Sequence, residues 1–212
     1  MNSIADIRQD YKLNSLSENE VAENPIDQFN KWWEDALACK IEEVNAMTLA
    51  TVNAMGSPSA RIVLLKGISE EGFEFFTNYE SHKAKDIKDN NKVALVFFWK
   101  ELERQIRIEG EAKMCSEEKS DAYFNSRPEG SKIGAWSSPQ SSIISNRDIL
   151  DKNVEVIKKQ FDNKEINRPA FWGGYIVKPT KIEFWQGRSS RLHDRIEYTI
   201  ENNIWITRRL AP

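Results

Sequence analysis

Histidine and cysteine are scarce in this chain, two of each in 212 residues. Cys39 and Cys115 lie far apart with no CxxC spacing, so neither a disulfide framework nor a metal site built with His82 and His193 is expected. Two reduced, buried thiols are the plain reading. Net charge is nearly absent as well: 30 Lys+Arg stand against 33 Asp+Glu, a balance of −3. That argues against nucleic acid or an anionic membrane as a partner of the whole surface, and any basic function must be local. No apolar run approaches the roughly 18 residues that a membrane span needs, and the N-terminus MNSIADIRQDY is polar and of mixed charge. The cytoplasm is therefore the expected location, with no membrane partner. Internal repeats and low-complexity tracts are also missing.

What the chain does have is a 40% hydrophobic and 10% aromatic share, enough for one sizeable domain with a substantial core. A short amphipathic segment at about 3–11 and the polar stretch NSLSENEVAEN predict a flexible N-terminal arm over 1–23, followed by a single domain over 24–212. Asn24 before Pro25 is a good helix start, and Ile26, Phe29, Trp33, Leu37 and Ile41 recur at helical spacing, predicting a helix to about Glu42. The period then changes to two. AMTLATVNA, SARIVLLKG, GFEFFTN, KVALVFFW and RQIRIEGEAKM are rich in β-formers, and together they predict one antiparallel sheet. Helical patterns interrupt at about 81–90, 116–126 and 145–162, the last with Ser145 and Asp148 as a capping box. FWGGYIVKP, KIEFWQG, a strand near 191–200, an Asn202-Asn203 turn and IWITRR close the chain. Strands of this number without βαβ alternation indicate an α+β domain on a closed or split barrel.

Several stretches carry candidate chemistry. WQGRSSRLHDR gathers Arg188, Arg191 and Arg195 around His193, with Asp194 the only acid among them. Guanidinium groups stay protonated, so such a cluster is tolerable in solvent and costly when buried, unless an anion sits within it. Read as a strand, RLHDR puts Arg191, His193 and Arg195 on one face, and their charge would keep the imidazole neutral and able to accept a hydrogen bond. In SARIVLLKG, five residues separate Arg61 from Lys66 and place them on opposite faces of a regular strand. Either the strand is bulged or the two charges serve different groups. Ser81 is placed to cap a helix whose first turn carries His82 and Lys83, a position that favours phosphate. RQIRIEG sends Ile106 and Ile108 to one face, Gln105 and Arg107 to the other. In YFNSRPEGSKIGAWSSPQSS, Tyr123 and Arg127 are four apart at a helix end, and the break at Pro128-Glu129-Gly130 leads to Ser131 at the start of another short helix. Charge plus several directed donors is what a phosphate monoester needs. Trp99, Trp136 and Trp172 read as core, while Trp185, beside the arginines, is the one expected to touch a ligand. Taken singly, each pattern is also what a solvated strand face or a capped surface helix shows.

Together they resemble a family. RIVLLK, the SxKA helix start, LERQIRIEG, YFxSRP, SxIGAW, QSS, FWGG, IEFWQG, RLHDR and the terminal RLAP occur in the order found in the pyridoxine/pyridoxamine 5′-phosphate oxidases, over about Ile7 to Pro212. The resemblance implies an FMN-binding split β-barrel, antiparallel and Greek-key-like with surrounding helices, that forms a homodimer with the flavin at the interface. It implies oxidation of pyridoxine or pyridoxamine 5′-phosphate to pyridoxal 5′-phosphate, by hydride transfer from C4′ to FMN, with dioxygen reoxidising the flavin and releasing hydrogen peroxide.

Carried over by motif, Arg61 and Lys83 would bind the FMN phosphate region, Lys66 and His82 would count among the cofactor-binding residues, and Phe76, Thr77, Gln105, Gln140, Ser141, Trp185 and Arg195 would complete the flavin site. Lys66, Tyr123, Arg127 and Ser131 would hold the substrate phosphate. Arg191 and His193, the expected catalytic residues, would face the substrate ring, and Arg8 and Tyr11 would match the arm that closes over it. There are departures: His82 replaces a common arginine, Phe76 a common tyrosine and Glu43 an expected aspartate, while Arg188 has no family counterpart. A flavin split-barrel enzyme with another substrate need not keep Tyr123, Arg127, Ser131, Arg191 and His193 together. A non-catalytic binder of flavin or pyridoxal 5′-phosphate is the other competing reading.

Overall fold

Alternating burial shapes several strands of this molecule, seen in a computed structural model that describes residues 3–7 and 9–212. The strands are β1 (Ala46–Val52), β2 (Pro58–Leu64), β3 (Gly67–Ser69), β4 (Gly72–Asn78), β5 (Lys92–Trp99), β6 (Arg104–Met114), β7 (Trp172–Gln186), β8 (Asp194–Glu201) and β9 (Ile204–Leu210). They form one antiparallel sheet in the order β2-β1-β5-β6-β7-β4-β3, with β8 also pairing β7 and β9 pairing β8. The sheet divides at β7. Along one side this long strand pairs with β6, while on the other its first part, 172–177, meets β4 and its second, 181–186, meets β8. The result is the expected α+β architecture, a curled antiparallel half-barrel with helices around it.

One face of the curled sheet is the core. Leu49, Leu95, Phe97, Ile106, Ile108, Ile182, Phe184, Ile196 and Tyr198 are fully buried on it, whereas Gln105 and Arg107 take the opposite face of β6 as alternation requires. Helix α1 (Pro25–Ala38) closes the open end. Its Asn24 side chain accepts the Ile26 N–H at 2.8 Å, and Phe29, fully buried, meets Phe73 and Phe97 with ring centroids 4.9 and 5.3 Å apart. The helix stops at Ala38, short of the expected Glu42, because Lys40 turns into the left-handed region (φ 54°). Its buried stripe also runs through Trp32 and Ala36 rather than Leu37, which is exposed.

The remaining helices are α2 (His82–Asp89), α3 (Glu117–Ser126), α4 (Glu129–Ser137) and α5 (Asp148–Gln160). Ser116 caps α3 through the Lys119 N–H. The capping box expected at Ser145 does not form: α5 starts after Arg147, with no side-chain cap, and none of its residues is buried. Its Asn153 donates to the Ser137 carbonyl and ties it to α4. Both thiols are free, but neither is fully buried as expected: Cys39 is exposed, lying just beyond the end of α1, and Cys115 is half-buried. Burial pushes the Cys115 thiol up to about 11.

Candidate functional site

Among the described residues, four cations and no carboxylate line a cavity of about 670 Å³ bounded by β2, β4, α2, α3 and α4. The cations are Arg61, Lys66, Lys83 and Arg127; Phe76, Thr77, Tyr123, Ser131 and Gln140 line it with them, so nine of the residues expected from sequence converge here. Arg61 and Lys66 share the cavity, contrary to the parity expected of a regular strand. The reason is that β2 ends at Leu64; Leu65 and Lys66 then bond to the Asn45 and Glu74 carbonyls, and the alternation lapses before Lys66 is reached.

The Arg61 guanidinium is oriented from below. It donates to Thr51 Oγ1 at 2.7 Å, to Ser59 Oγ at 2.5 Å and to the Leu49 carbonyl at 3.3 Å. Asp86 of α2, itself accepting from Thr51 and Ser59, lies 3.9 Å away. Lys83 is buried and donates to Thr77 Oγ1 (3.1 Å), to Ser81 Oγ (3.4 Å) and to Gln140 Oε1 (3.4 Å). Burial, with Arg61 adding to it, lowers the Lys83 pKa, and burial likewise lowers that of Arg61. Charges held so, with only Asp86 behind Arg61 and an open volume in front of them, suit an anion.

At the other end Phe76 stacks on Tyr123 (4.0 Å) and Trp172 (5.7 Å). Arg127 lies over the Trp172 ring at 4.6 Å, and its buried Nη1 has no hydrogen-bond partner among the described residues. A buried guanidinium nitrogen left unpaired is costly, and a phosphate oxygen in the cavity would satisfy it. Gly174 makes room for this stack, since a Cβ there would come within 2.7 Å of Phe76. Trp172 is buried, as expected of core, yet it also borders the cavity; its place in FWGG, where glycines admit close neighbours, was the available signal for that second contact.

Other expected residues lie elsewhere. His82 is exposed and 3.9 Å from Asp86, Ser141 is exposed at φ 71°, and neither lines the cavity. Arg8 lies outside the described residues. Gln105, Trp185 and Arg195 stand opposite one another across β6, β7 and β8, and none of them lines the cavity of the same chain. The expected single strand face of RLHDR is not formed. Ser189–Arg191 is a 3-10 turn with Ser190 and Arg191 at φ 56° and 62°, and β8 begins only at Asp194. His193 instead packs on Trp185 at 4.5 Å, with Tyr11 meeting both rings, and its Nδ1 accepts the Arg188 N–H at 3.0 Å. Burial first, then Arg191, lowers the His193 pKa against the opposing pull of Asp194. The ring is thus favoured neutral, as expected, though desolvation leads. Arg195 has a counter-ion that sequence reading overlooked: the buried Glu183 takes its Nε at 2.9 Å and a second guanidinium nitrogen at 3.0 Å, and also pairs with Arg107. Arg188, without an expected role, pairs with Asp194 at 3.3 Å.

Residues 33–161 match the family described as Pyridoxamine 5'-phosphate oxidase, and residues 172–212 match that described as Pyridoxine 5'-phosphate oxidase C-terminal dimerisation region. A pyridoxine/pyridoxamine 5'-phosphate oxidase of a Nostoc species is 54% identical over 211 residues, 99% of either chain. One of Salinibacter ruber is 50% identical over the whole of both chains. Among solved structures, PhzG from Burkholderia lata in complex with tetrahydrophenazine-1-carboxylic acid is similar at a TM-score of 0.88 and 26% identity, over 94% of this chain and 99% of that one. A pyridoxamine 5'-phosphate oxidase-related, FMN binding protein from Nostoc punctiforme shares the fold, with a TM-score of 0.70 at 16% identity over 87% and 97%.

Proposed function

Because the chain belongs to the pyridoxine/pyridoxamine 5′-phosphate oxidase family, we propose that it oxidises pyridoxine or pyridoxamine 5′-phosphate to pyridoxal 5′-phosphate with bound FMN. The observation that carries this reading is the cavity with four cations, no carboxylate and an orphaned Arg127 nitrogen. Such a lining suits phosphate monoesters, each carrying about −1.5 to −2 charge. The residues present therefore fit both the cofactor and the substrate.

Arg61, Lys83, Thr77 and Gln140 would hold the FMN phosphate region, with Lys66 and His82 beside it and Phe76 and Ser141 nearby. When bound, FMN supplies the acceptor for a hydride from C4′ of the substrate and passes the electrons to dioxygen, giving hydrogen peroxide. Lys66, Tyr123, Arg127 and Ser131 would grip the substrate phosphate and so set the distance of its ring, which is the protein's main contribution to rate. Arg191 would orient that ring. His193, with Nδ1 engaged by the Arg188 N–H, carries its proton on Nε2 when neutral and offers it as a donor. Gln105, Trp185 and Arg195 would complete the site from a second copy of the chain, so the active form in this reading is a homodimer with flavin between subunits. Phosphorylated substrates do not cross membranes freely, which assigns the work to the cytoplasm.

The test is direct. The purified protein should carry a flavin absorbance spectrum and, given pyridoxine 5′-phosphate in air, form the aldehyde and peroxide in equal amounts. Flavin without turnover would leave a binding module, and turnover only with a different substrate would leave a related flavin enzyme.

A further inference from the structure

The N-terminal arm is gripped by an ion pair that lies outside the cavity. Arg209 of β9 donates to Asp194 Oδ1 at 2.8 Å, to both Glu18 oxygens at 2.6 and 2.8 Å, and to the Leu16 carbonyl at 2.9 Å. The other Asp194 oxygen accepts the Leu16 N–H at 3.1 Å and Arg188 at 3.3 Å. Leu16 is thereby held at both backbone groups by one ion pair, and its side chain is buried. A second anchor lies three residues earlier, where the Leu13 N–H donates to Glu103 Oε2 at 3.0 Å. Glu103 is buried and left-handed (φ 53°), and its own carbonyl accepts the Gly187 N–H at 2.7 Å. Asp10 adds a bond from the Ser190 N–H.

Just ahead of these anchors, Tyr11 lies against Trp185 and His193. Gly187 is what lets it approach: a Cβ there would lie 2.7 Å from the tyrosine ring. An isolated surface ion pair stabilises little. This one differs because its guanidinium is shared by two carboxylates and because both partners bond the backbone of a buried residue. The Glu18 carboxyl is accordingly held down at about 2, chiefly by the Arg209 hydrogen bond.

We propose that Arg209 and Asp194 are positioning residues that seat the arm over residues 10–16, so that Tyr11 covers the Trp185–His193 end of the active site when substrate binds. The proposal rests on the reading of that end as part of the substrate site. It gives Asp194 a purpose in RLHDR distinct from chemistry, and it places Arg188 in the same network.

The test compares the wild-type holoenzyme with Arg209→Gln, Tyr11→Ala and the double variant. Arg209→Gln is expected to raise KM for pyridoxine 5′-phosphate about tenfold, the scale of one lost charge-assisted contact, while kcat and flavin content change less than about twofold. Tryptic cleavage after the exposed Lys12 should accelerate. In the Tyr11→Ala background Arg209→Gln should add nothing to KM, since a residue acting only through the arm is silent once the arm's contact is gone. Unchanged KM and cleavage, or the full effect persisting without Tyr11, would overturn the proposal. Should Arg209→Gln not fold, Glu18→Gln removes one partner at the surface and carries the same comparison, and Arg209→Lys should restore part of the KM. Cleavage at Lys12 needs no turnover, so a wild type inert toward the substrate sinks the oxidase reading while the protease result still decides the arm.

Discussion

Arg127 states the chemistry of the cavity most directly, since its Nη1 is buried without a partner among the described residues while its guanidinium stays packed on Trp172. An unpaired buried donor destabilises the free protein and strengthens binding of the anion that satisfies it. Arg127→Gln is thus expected to raise KM for the phosphorylated substrate about 10- to 100-fold, matching loss of ~1.5–3 kcal/mol from hydrogen bonds to a charged group, with a smaller change in kcat. The same substitution should leave the thermal midpoint of the ligand-free protein unchanged or slightly higher. A large fall in that midpoint, with KM intact, would show that Arg127 serves packing instead. His193 provides a second check at this scale, aided by the chain having only two histidines. Its folded pKa lies below the ordinary 6.5, so the unfolded chain binds its proton more readily. The stability this contributes is complete above about pH 6.5 and is lost as pH falls through the folded value. Protonation also removes the Nδ1 lone pair that accepts the Arg188 N–H. In an NMR titration one imidazole should titrate below 6.5, and Arg191→Gln should move that midpoint upward. A midpoint at or above 6.5, or one indifferent to Arg191, would remove the claimed cause.

Elements show where the sequence is legible and where it is not. Period-two alternation marks β1, β2, β5 and β6, and it assigns Ile106 and Gln105 to the correct faces, because burial on one side of a sheet enforces that pattern; β4 is buried on both faces. It fails where regular structure stops. Lys66 lies two residues beyond the end of β2, and Arg191 sits in a turn at positive φ without a glycine to announce it. Glu183 could not be paired with Arg195 before the register of β7 and β8 was known, since nothing local links residues twelve apart. A comparable long-range polar link docks α2 on the sheet: Thr51, fully buried in β1, donates to Asp86 at 2.6 Å and accepts from Arg61 at 2.7 Å. Thr51→Val keeps the shape and strips the buried Asp86 and the half-buried Arg61 of a partner. It should cost about 1–3 kcal/mol in equilibrium denaturation and weaken FMN retention on dilution by freeing Arg61. Wild-type stability in that variant would mean that Asp86 and Arg61 find equivalent partners on their own.

At the scale of the molecule the sheet carries an outward face that one chain does not cover. Ile62 and Phe98 are 64% and 54% exposed, and Phe98 stands in register with Gln105, Trp185 and Arg195 across four strands. Large apolar side chains gathered on a sheet face mark an interaction surface, and the match of residues 172–212 to a dimerisation region falls on two of those strands. Neighbouring rows hold Arg107 and Arg195, which share the buried Glu183 while Arg107 also meets Glu109, an arrangement that lowers the cost of burying a charged face. If this face joins two copies about a twofold axis, each substitution acts twice. Phe98→Asp should therefore yield a folded monomer by sedimentation velocity. Since Gln105, Trp185 and Arg195 are proposed to reach the cavity of the other copy, flavin content should fall together with the dimer. A Phe98→Asp protein that stays dimeric would place the interface elsewhere, and a monomer that keeps its flavin would show that the cavity cations of one chain suffice to hold it.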